Sequence, residues 1–306
     1  MNKKFDLLVV GELNVDLILS GAVEPQFGQV EKLINDANLV LGSSSAIFAC
    51  GAARLGLKVT FAGKVGKDQF GRFILEQLVS HQIDIQGVVI DDQVKTGLTV
   101  ILNRGQDRAV LTYPGSISKF HKNEISTPLM KKCRHIHLGG YYLLDELRPE
   151  VASLFEEAHL AGLTTSLDTN FDPTEKWGQE IWQVFKHTDI FMPNEAELFA
   201  ITGKKNLAEG LKALRNYVSI VAVKIGKRGA VGQHGNNFIT AQSLSVKVVD
   251  TIGAGDSFDA GLIYGFLHEW ELERSLKLAC VCGSLSTRGA GGTSAQPNLS
   301  EANQWL

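Results

Sequence analysis

Short apolar runs alternate with longer amphipathic runs along most of the chain. The short runs end in Gly, Asn or Asp and predict buried strands at residues 6–13, 58–66, 134–140, 164–170, 189–194 and 219–226. The longer runs predict helices at residues 45–56, 68–80, 149–162 and 178–187. This alternation is typical of βαβ units. It therefore predicts an α/β fold in which helices cover both faces of a central, mostly parallel sheet.

Two segments break this alternation. Residues 14–41 contain two strand-like runs with no helix between them, and residues 96–113 form a hairpin pattern that turns at residues 103–107. We expect these strands to form a small β-sheet lid inserted in a single domain that spans residues 1–306. A lid over the carboxyl ends of the parallel strands would cover a ligand crevice. Its exposed strand edges also make it a candidate homodimer surface.

Composition narrows the class of partner and the cellular compartment. The formal net charge of the 306-residue chain is −3, and no segment collects Lys and Arg into a block, so neither nucleic acid nor a membrane is an expected partner. No apolar stretch reaches the roughly 18 residues of a membrane span. The first apolar run is too short for a signal peptide, and the chain has only four cysteines. These features predict a cytoplasmic protein.

Residues 248–267 carry the strongest chemical signal. The pattern predicts a strand that ends at Asp250, a tight turn at Gly253–Gly255 and a helix that starts near Asp256. Backbone N–H groups in such a turn, together with a helix N-terminus, form an anion-binding site. A carboxylate in the first turn could take a proton from a hydroxyl that attacks a bound phosphate. From the residues alone, Asp256 could equally serve to complement the helix dipole.

The same stretch resembles the C-terminal signature of the ribokinase-like (PfkB) carbohydrate kinase family. The match runs Asp250-Thr251-x-Gly253-Ala254-Gly255-Asp256-x-Phe258 and continues to Gly261. The resemblance implies a ribokinase-like three-layer sandwich and ATP-dependent phosphorylation of a sugar hydroxyl. It also implies that Gly253, Ala254 and Gly255 form the anion hole and that Asp256 is the catalytic base.

The resemblance extends towards the N-terminus and implies the sugar site. Gly11-x-x-Asn14-x-Asp16 is similar to the opening strand of the family, in which the Asp binds sugar hydroxyls. Asn14 and Asp16 are therefore expected to bind the substrate, together with Gly42, Ser43 and Ser44. The segment 63–71 resembles the N-terminal signature of the family.

Two later motifs imply the nucleotide site. Asn194-x-x-Glu197 resembles the family motif that organises Mg²⁺ through water near the phosphates, although the same pair is equally a helix capping box in form. Lys224-x-Gly226-x-x-Gly229 resembles the ATP-side turn, although its two glycines could equally form a hairpin turn. The resemblance thus assigns Asn194, Lys224, Gly226, Gly229, Gly253 and Gly255 to the nucleotide.

A monovalent cation is the third implied cofactor, after ATP and Mg²⁺. The tail at 286–297 resembles the family loop beside the adenine and cation sites. The resemblance implies that K⁺ is held by Asp250 and by the carbonyl groups of Ile252, Ser286 and Gly291. The residues alone offer another explanation, because an Asp at this position commonly caps its own turn.

The sugar itself stays open. Ribose-binding members carry Gly-Gly-x-x-x-Asn where this chain has Ser43 in place of the second Gly and Ile47 in place of the Asn. We therefore expect ribose to be a poor substrate. The alternatives to a sugar kinase are a nucleoside kinase, a sugar-phosphate kinase and a non-catalytic sugar sensor. Basic residues beside Asp16 would favour a sugar phosphate as the substrate. A dehydrogenase is disfavoured because residues 9–16 lack GxGxxG.

Asp168 and Asn170, at a strand end, are expected to face the same crevice.

Overall fold

The computed structural model describes residues 3–104 and 107–306. Within these ranges the chain forms thirteen strands: β1 (Phe5–Val10), β2 (Asn14–Ser20), β3 (Asp36–Leu41), β4 (Val59–Gly66), β5 (Asp84–Asp91), β6 (Gly97–Arg104), β7 (Asp107–Tyr113), β8 (Cys133–Leu138), β9 (Thr164–Leu167), β10 (Ile190–Phe191), β11 (Ile220–Lys224), β12 (Ala230–His234) and β13 (Asn237–Ala241). The same ranges contain ten α-helices: α1 (Ser44–Leu55), α2 (Gln69–Ser80), α3 (Thr127–Met130), α4 (Val151–Leu160), α5 (Ile181–Phe185), α6 (Glu195–Thr202), α7 (Leu207–Leu214), α8 (Ala254–Leu267), α9 (Leu272–Ser286) and α10 (Leu299–Ala302).

Nine strands form the central sheet, in the order β13-β12-β11-β10-β9-β8-β1-β4-β5. Every pairing from β11 to β5 is parallel, which confirms the predicted parallel sheet. The hairpin of β12 and β13 adds two antiparallel strands at one edge, and the sequence pattern did not predict it. Parallel strands bring their carboxyl ends to one edge of the sheet, where ligands bind in open α/β folds.

The core lies on both faces of this sheet. Successive side chains of a strand point to opposite faces, and in β1 the pair Leu7 and Val9 joins one apolar cluster while Leu8 and Val10 join the other. The first cluster packs under α1, α2, α8 and α9, and the second packs under α3 to α7. This arrangement is the predicted three-layer sandwich. The predicted helix at 178–187 is shorter than expected, because only Ile181–Phe185 is α-helical.

A second sheet has the strand order β3-β2-β6-β7, as the two irregular segments predicted. Strand β2 pairs in parallel with β6 and antiparallel with β3, and β6 and β7 pair antiparallel as far as Arg104 and Asp107. The predicted turn at 103–107 includes residues 105–106, which lie outside the described residues. All seven residues of β7 are exposed, so this strand is an open sheet edge.

No helix in the described part of the chain is both long and apolar enough to cross a membrane.

Candidate active site

The N-terminus of α8 is built around a left-handed glycine. Gly253 precedes the helix with a φ angle of 73°, a conformation that an L side chain rarely adopts. A Cβ atom at Gly253 would also lie 2.6 Å from the Cα atom of Gly292 in the tail loop. The backbone therefore requires glycine here on two grounds. The turn leaves the first N–H groups of α8 without helical partners, as an anion-binding turn requires.

The predicted strand before this turn is absent. Within the described residues, the chain from Gln242 to Asp250 has no strand, and Val248 and Val249 are about half exposed. The backbone N–H groups of Val249 and Asp250 instead donate to the carbonyl of Thr287, after the end of α9. The turn is therefore held by the helical layer and the tail loop, and the prediction of a strand ending at Asp250 was wrong.

Asp256 lies in the first turn of α8 and is partly exposed. Its Oδ1 atom accepts a hydrogen bond from the hydroxyl of Ser44, which is the first residue of α1. Burial in the crevice, together with the negative charge of Asp168, raises the pKa of Asp256 to about 8, against the lowering effects of Ser44 and Lys224. The carboxyl group is thus poised to exchange a proton near neutral pH.

The N-terminus of α1 rests on a buried carboxylate that sequence reasoning missed. Glu12, at 2% exposure, accepts hydrogen bonds from the backbone N–H of Ser45, at 3.1 Å, and from the Ser45 hydroxyl. Ser43 has a φ angle of 69°, donates its hydroxyl to the Glu12 carbonyl and caps α1 by accepting from the N–H of Ala46. These contacts fix the start of α1 and, with it, the position of Ser44.

The predicted sugar-binding residues come together at the start of β2. Asn14 donates to Oδ1 of Asp16 at 2.8 Å and to the hydroxyl of Thr99 at 3.1 Å. A Cβ atom at Gly42 would lie 2.2 Å from that same Asp16 oxygen, so Gly42 gives the carboxylate its space. Burial raises the pKa of Asp16 to about 7, while the Asn14 hydrogen bond and the charge of Arg108 on β7 oppose the rise. The second sheet thus contributes the polar groups of this part of the crevice.

A buried ion network lies directly behind the α8 turn. The Nζ atom of Lys224 is 2.6 Å from Oδ2 of Asp168 and 3.0 Å from Oδ2 of Asp259. Burial would raise the pKa of Asp168, but the ammonium of Lys224 holds it well below its usual range. Lys224 keeps its charge because these carboxylates raise its pKa. Asp259 was not predicted; its only sequence signal is its place three residues after Asp256, on the same helix face.

The Asn194 and Glu197 motif forms a reciprocal capping box at the start of α6. The N–H of Asn194 donates to Glu197 at 2.8 Å, and the N–H of Glu197 donates to Oδ1 of Asn194 at 2.9 Å. Glu197 is buried, and burial together with the charge of Asp168 raises its pKa to about 7. The N–H of Lys224 donates to the carbonyl of Pro193, which brings this motif beside the ion network.

Gly226 and Gly229 lie in the turn between the antiparallel strands β11 and β12. The N–H of Ile225 donates to the carbonyl of Gly229 at 2.9 Å, and the N–H of Gly229 donates back to the carbonyl of Gly226. A Cβ atom at Gly229, which has a φ angle of 93°, would lie 2.0 Å from the carbonyl oxygen of Ala241. The local structure is therefore a hairpin turn at the end of β11, and its contact with a nucleotide stays a prediction.

Asp250 joins its own turn to the tail loop. Its two carboxylate oxygens accept from the N–H of Ile252 at 3.0 Å and from the N–H of Gly291 at 2.9 Å. Ser286, the remaining implied cation ligand, is buried at the end of α9. Ile47 is also buried, with its side chain between Gly253 and Gly292. The isoleucine therefore packs against the turn that precedes α8, a role that the resemblance to ribose-binding members did not suggest.

The chain is similar to sugar kinases in sequence and to a structure with bound ATP in fold. The chain is 26% identical to a 5-dehydro-2-deoxygluconokinase of Geobacillus thermodenitrificans, with 99% of this chain and 94% of that protein covered. It is 28% identical to a 2-dehydro-3-deoxygluconokinase of Bacillus subtilis, with 92% and 90% covered. A crystal structure from E. coli in complex with ATP and Mg²⁺ has the same fold, with a TM-score of 0.89 at 24% identity and 98% of both chains covered.

A family-level match covers nearly the whole chain and agrees with the fold and with the placement of the signature at the α8 turn. Residues 4–299 match the family described as pfkB family carbohydrate kinase. The chain therefore belongs to the pfkB family of carbohydrate kinases.

Proposed function

We propose that this protein transfers the γ-phosphoryl group of ATP to a sugar hydroxyl, with Asp256 as general base and the N–H groups of the Gly253–Gly255 turn as anion hole. The observation that supports this most is the placement of Asp256 in the first turn of α8, three residues after the left-handed Gly253. A phosphate at this helix N-terminus would lie beside the carboxylate. The sugar hydroxyl would approach from the side of Ser44 and Gly42.

The proposed roles of the residues follow from their positions. Asn14, Asp16 and Gly42 would hold the sugar, together with the N-terminus of α1 at Ser43 and Ser44. Asp256 would accept the proton of the attacking hydroxyl. The phosphoryl-transfer transition state requires positioning and charge neutralisation more than a strong base, so a carboxylate is sufficient.

Mg²⁺ fits the oxygen-rich side of this crevice. It is a hard cation that keeps several water ligands and binds through carboxylates. Glu197 would hold it through water, because this buried carboxylate lies beside the network of Lys224 and Asp168 and accepts a hydrogen bond from the Asn194 N–H. When bound, Mg²⁺ would neutralise phosphate charge. Asn194, Lys224, Gly226 and Gly229 would line the nucleotide side.

We propose a keto-deoxy sugar acid as the substrate class. The relatives that span most of the chain are named for phosphorylating 5-dehydro-2-deoxygluconate and 2-dehydro-3-deoxygluconate. The structure adds one physical argument, which is the position of Arg108 on the second sheet, close enough to Asp16 to lower its pKa. A guanidinium beside the sugar site can pair with a substrate carboxylate or with a phosphate, and the names of the relatives favour the carboxylate.

The test is an ADP-release screen with purified protein and Mg·ATP. It compares 2-dehydro-3-deoxygluconate and 5-dehydro-2-deoxygluconate with fructose, ribose, adenosine and sugar phosphates. We expect one of the two sugar acids to give the highest kcat/KM and Arg108→Ala to lower it more than it lowers kcat/KM for fructose. ADP release that no sugar stimulates would refute the kinase, and a preference for a neutral sugar, a nucleoside or a sugar phosphate would refute the substrate class.

We also propose that K⁺ stimulates the reaction. Asp250 already joins the two backbone segments that the ion would bridge, through Ile252 and Gly291. An ion there would hold the anion-hole turn in its working conformation and touch no substrate. Initial rates in a tetraalkylammonium buffer should rise saturably with KCl at constant ionic strength, and Asp250→Ala should remove the rise. A flat titration would leave Asp250 as a capping residue.

The second sheet supports a proposed homodimer. Leu39, Leu111 and Tyr113 are exposed on one face of this sheet, Val110 is exposed on the other, and β7 is an open edge. An apolar edge strand of this kind is a liability unless another chain covers it. Sedimentation equilibrium should give a dimer that Leu111→Lys dissociates. A wild-type monomer at tens of micromolar protein would exclude this dimer.

A further inference from the structure

Three charged residues, two of them buried and one partly buried, meet behind the anion-hole turn, and each comes from a different element. Lys224 ends β11, Asp168 follows β9 and Asp259 lies in α8. The Nζ atom of Lys224 contacts Oδ2 of Asp168 at 2.6 Å and both oxygens of Asp259, at 3.2 and 3.0 Å. The two carboxylates are 3% and 1% exposed. We call these residues the buried triad.

The charges of the buried triad cancel when one of its two carboxyl groups holds a proton. One ammonium faces two carboxylates, and oxygens of Asp168, Asp256 and Asp259 lie within 4.8 Å of one another. Buried charge is expensive unless it is paired, and apolar residues of similar volume are often as stable as a buried ion pair. Burial raises the pKa of Asp259 well above its usual range, so this carboxyl group retains a proton more readily than Asp168. Stability alone is therefore a poor explanation for the triad.

The position of the buried triad links it to the proposed reaction. Asp259 is three residues after Asp256, so the two side chains lie one helical turn apart on the same face of α8. Its contact with Lys224 fixes the rotation of α8 about its axis, and this rotation sets the direction of the Asp256 carboxylate. Lys224 also flanks the turn directly, because a Cβ atom at Gly255 would lie 3.6 Å from its Nζ atom.

We infer that Lys224, Asp168 and Asp259 act together as a positioning triad, which aims Asp256 and the Gly253–Gly255 turn at the transferred phosphoryl group. This inference rests on the proposed function. Lys224 is then a tethered cation behind the anion hole, held there by two carboxylates. Asp259 connects that cation to the helix that carries the base.

The chain supplies a matched control for the test. Lys64 is a buried lysine that also has two carboxylate partners, Glu124 at 2.7 Å and Asp91 at 3.4 Å, and it lies on β4, away from α8. Lys64→Met should therefore reproduce the loss of a buried ion network without touching α8. Thermal midpoints from circular dichroism would compare the stability of each variant with that of the wild type.

Steady-state kinetics of the folded variants decide between positioning and stability. Misplacement of reacting groups by about 1 Å can reduce a rate by about 10²-fold, so we expect Lys224→Met and Asp259→Ala to lower kcat by about that factor. The KM for the sugar should change less, because the proposed sugar residues lie on β2 and at the start of α1, outside the triad. Asp259→Asn should recover part of kcat, since its amide oxygen can still accept from Lys224. Lys64→Met should lower the thermal midpoint and keep kcat within about threefold.

The inference is wrong if Lys224→Met and Asp259→Ala lower only the thermal midpoint and keep kcat within about threefold of the wild type. If Lys224→Met does not fold, the two Asp259 variants decide the question in the same way. If no sugar supports ADP release by the wild type, the proposed function fails separately. The readout is then the rise in thermal midpoint that Mg·ATP produces. Asp259→Ala should lose this rise and Lys64→Met should keep it. An equal rise in both variants would overturn the positioning role of the triad.

Discussion

The pH dependence of sugar phosphorylation should report the ionisation of Asp256. Burial and the charge of Asp168 raise the pKa of this carboxyl group to about 8 in the free protein. A base must be ionised to accept a proton, so activity should increase as the pH rises through this value. A pKa of about 8 leaves roughly a tenth of the molecules ionised at pH 7 and roughly a hundredth at pH 6. Ionisation of Asp256 alone should therefore raise kcat/KM for the sugar about tenfold between pH 6 and 7, and the rise should level off above about pH 8.5.

Two substitutions separate Asp256 from its neighbours in this profile. Ser44→Ala removes a hydrogen bond that lowers the pKa of Asp256, so the midpoint should move to higher pH. Asp16, with a pKa raised to about 7, should steepen the profile below pH 7, and Asp16→Asn should restore a slope of one. Ser80→Ala is the control for Ser44→Ala, because the Ser80 hydroxyl is exposed and its hydrogen bonds are local, with the carbonyl of Gln77 and Nδ1 of His81.

The assay is ADP release at low sugar concentration and fixed Mg·ATP, from pH 5.5 to 9.5 at constant ionic strength. Under these conditions the rate reports kcat/KM, which depends on the ionisation of the free enzyme. A midpoint near pH 4, the ordinary range for an aspartate, would refute the raised pKa. A Ser44→Ala profile that coincides with the wild type would refute the role of the Ser44 hydrogen bond.

Three further predictions follow from the α8 turn. Asp256→Asn should lower kcat by about 10²–10⁴ with little change in nucleotide binding, and retention of more than about a third of kcat would contradict its role as base. The same variant should raise the thermal midpoint at pH 8 and not at pH 5. Because the carboxyl pKa is raised, the folded protein binds one proton more than the unfolded chain between pH 3.8 and about 8, so stability falls as the pH rises through this range. Equal midpoints of the variant and the wild type at pH 8 would argue against this. Gly253→Ala should destabilise the fold by at least about 1–2 kcal/mol, because φ is 73° and Gly292 is close, and wild-type stability in urea would contradict it.

Local sequence patterns were sufficient for most of the fold. Alternating apolar runs predicted the parallel sheet, and the irregular segments at 14–41 and 96–113 predicted the second sheet. Both predictions succeeded because hydrophobic periodicity and turn residues can be recognised from neighbouring positions in the chain. The β12–β13 hairpin was missed, and the expected strand before Asp250 does not form. Both errors concern an edge of the structure, where tertiary contacts rather than periodicity decide the backbone.

Long-range partners explain what the site prediction missed. Asn14 and Asp16 lie two residues apart on β2, and the pairing of β2 with β3 brings Gly42 to them, so these residues meet within the second sheet that the sequence predicted. Asp259 pairs with Lys224, which is 35 residues away in the chain, and Glu12 pairs with Ser45, 33 residues away. A lone carboxylate in a helix or after a strand carries no signal of such a partner. Only the packing of α1 and α8 on the sheet brings these pairs together.

The crevice contains more carboxyl groups than basic groups. Its acidic side chains outnumber its lysine, and the pKa values of most of them are raised by burial and by one another. Protons held at pH 7 reduce this negative charge, and the charge that remains still disfavours a free nucleotide, so we expect ATP to bind together with its divalent cation. Cation binding should also lower the pKa of nearby carboxyl groups and release protons. Isothermal titration of Mg·ATP in two buffers of different ionisation enthalpy should therefore show net proton release at pH 7, and equal enthalpies in both buffers would refute this. The carboxyl groups expected to release protons are those with raised pKa values, which are Glu12, Asp16, Glu197, Asp256 and Asp259.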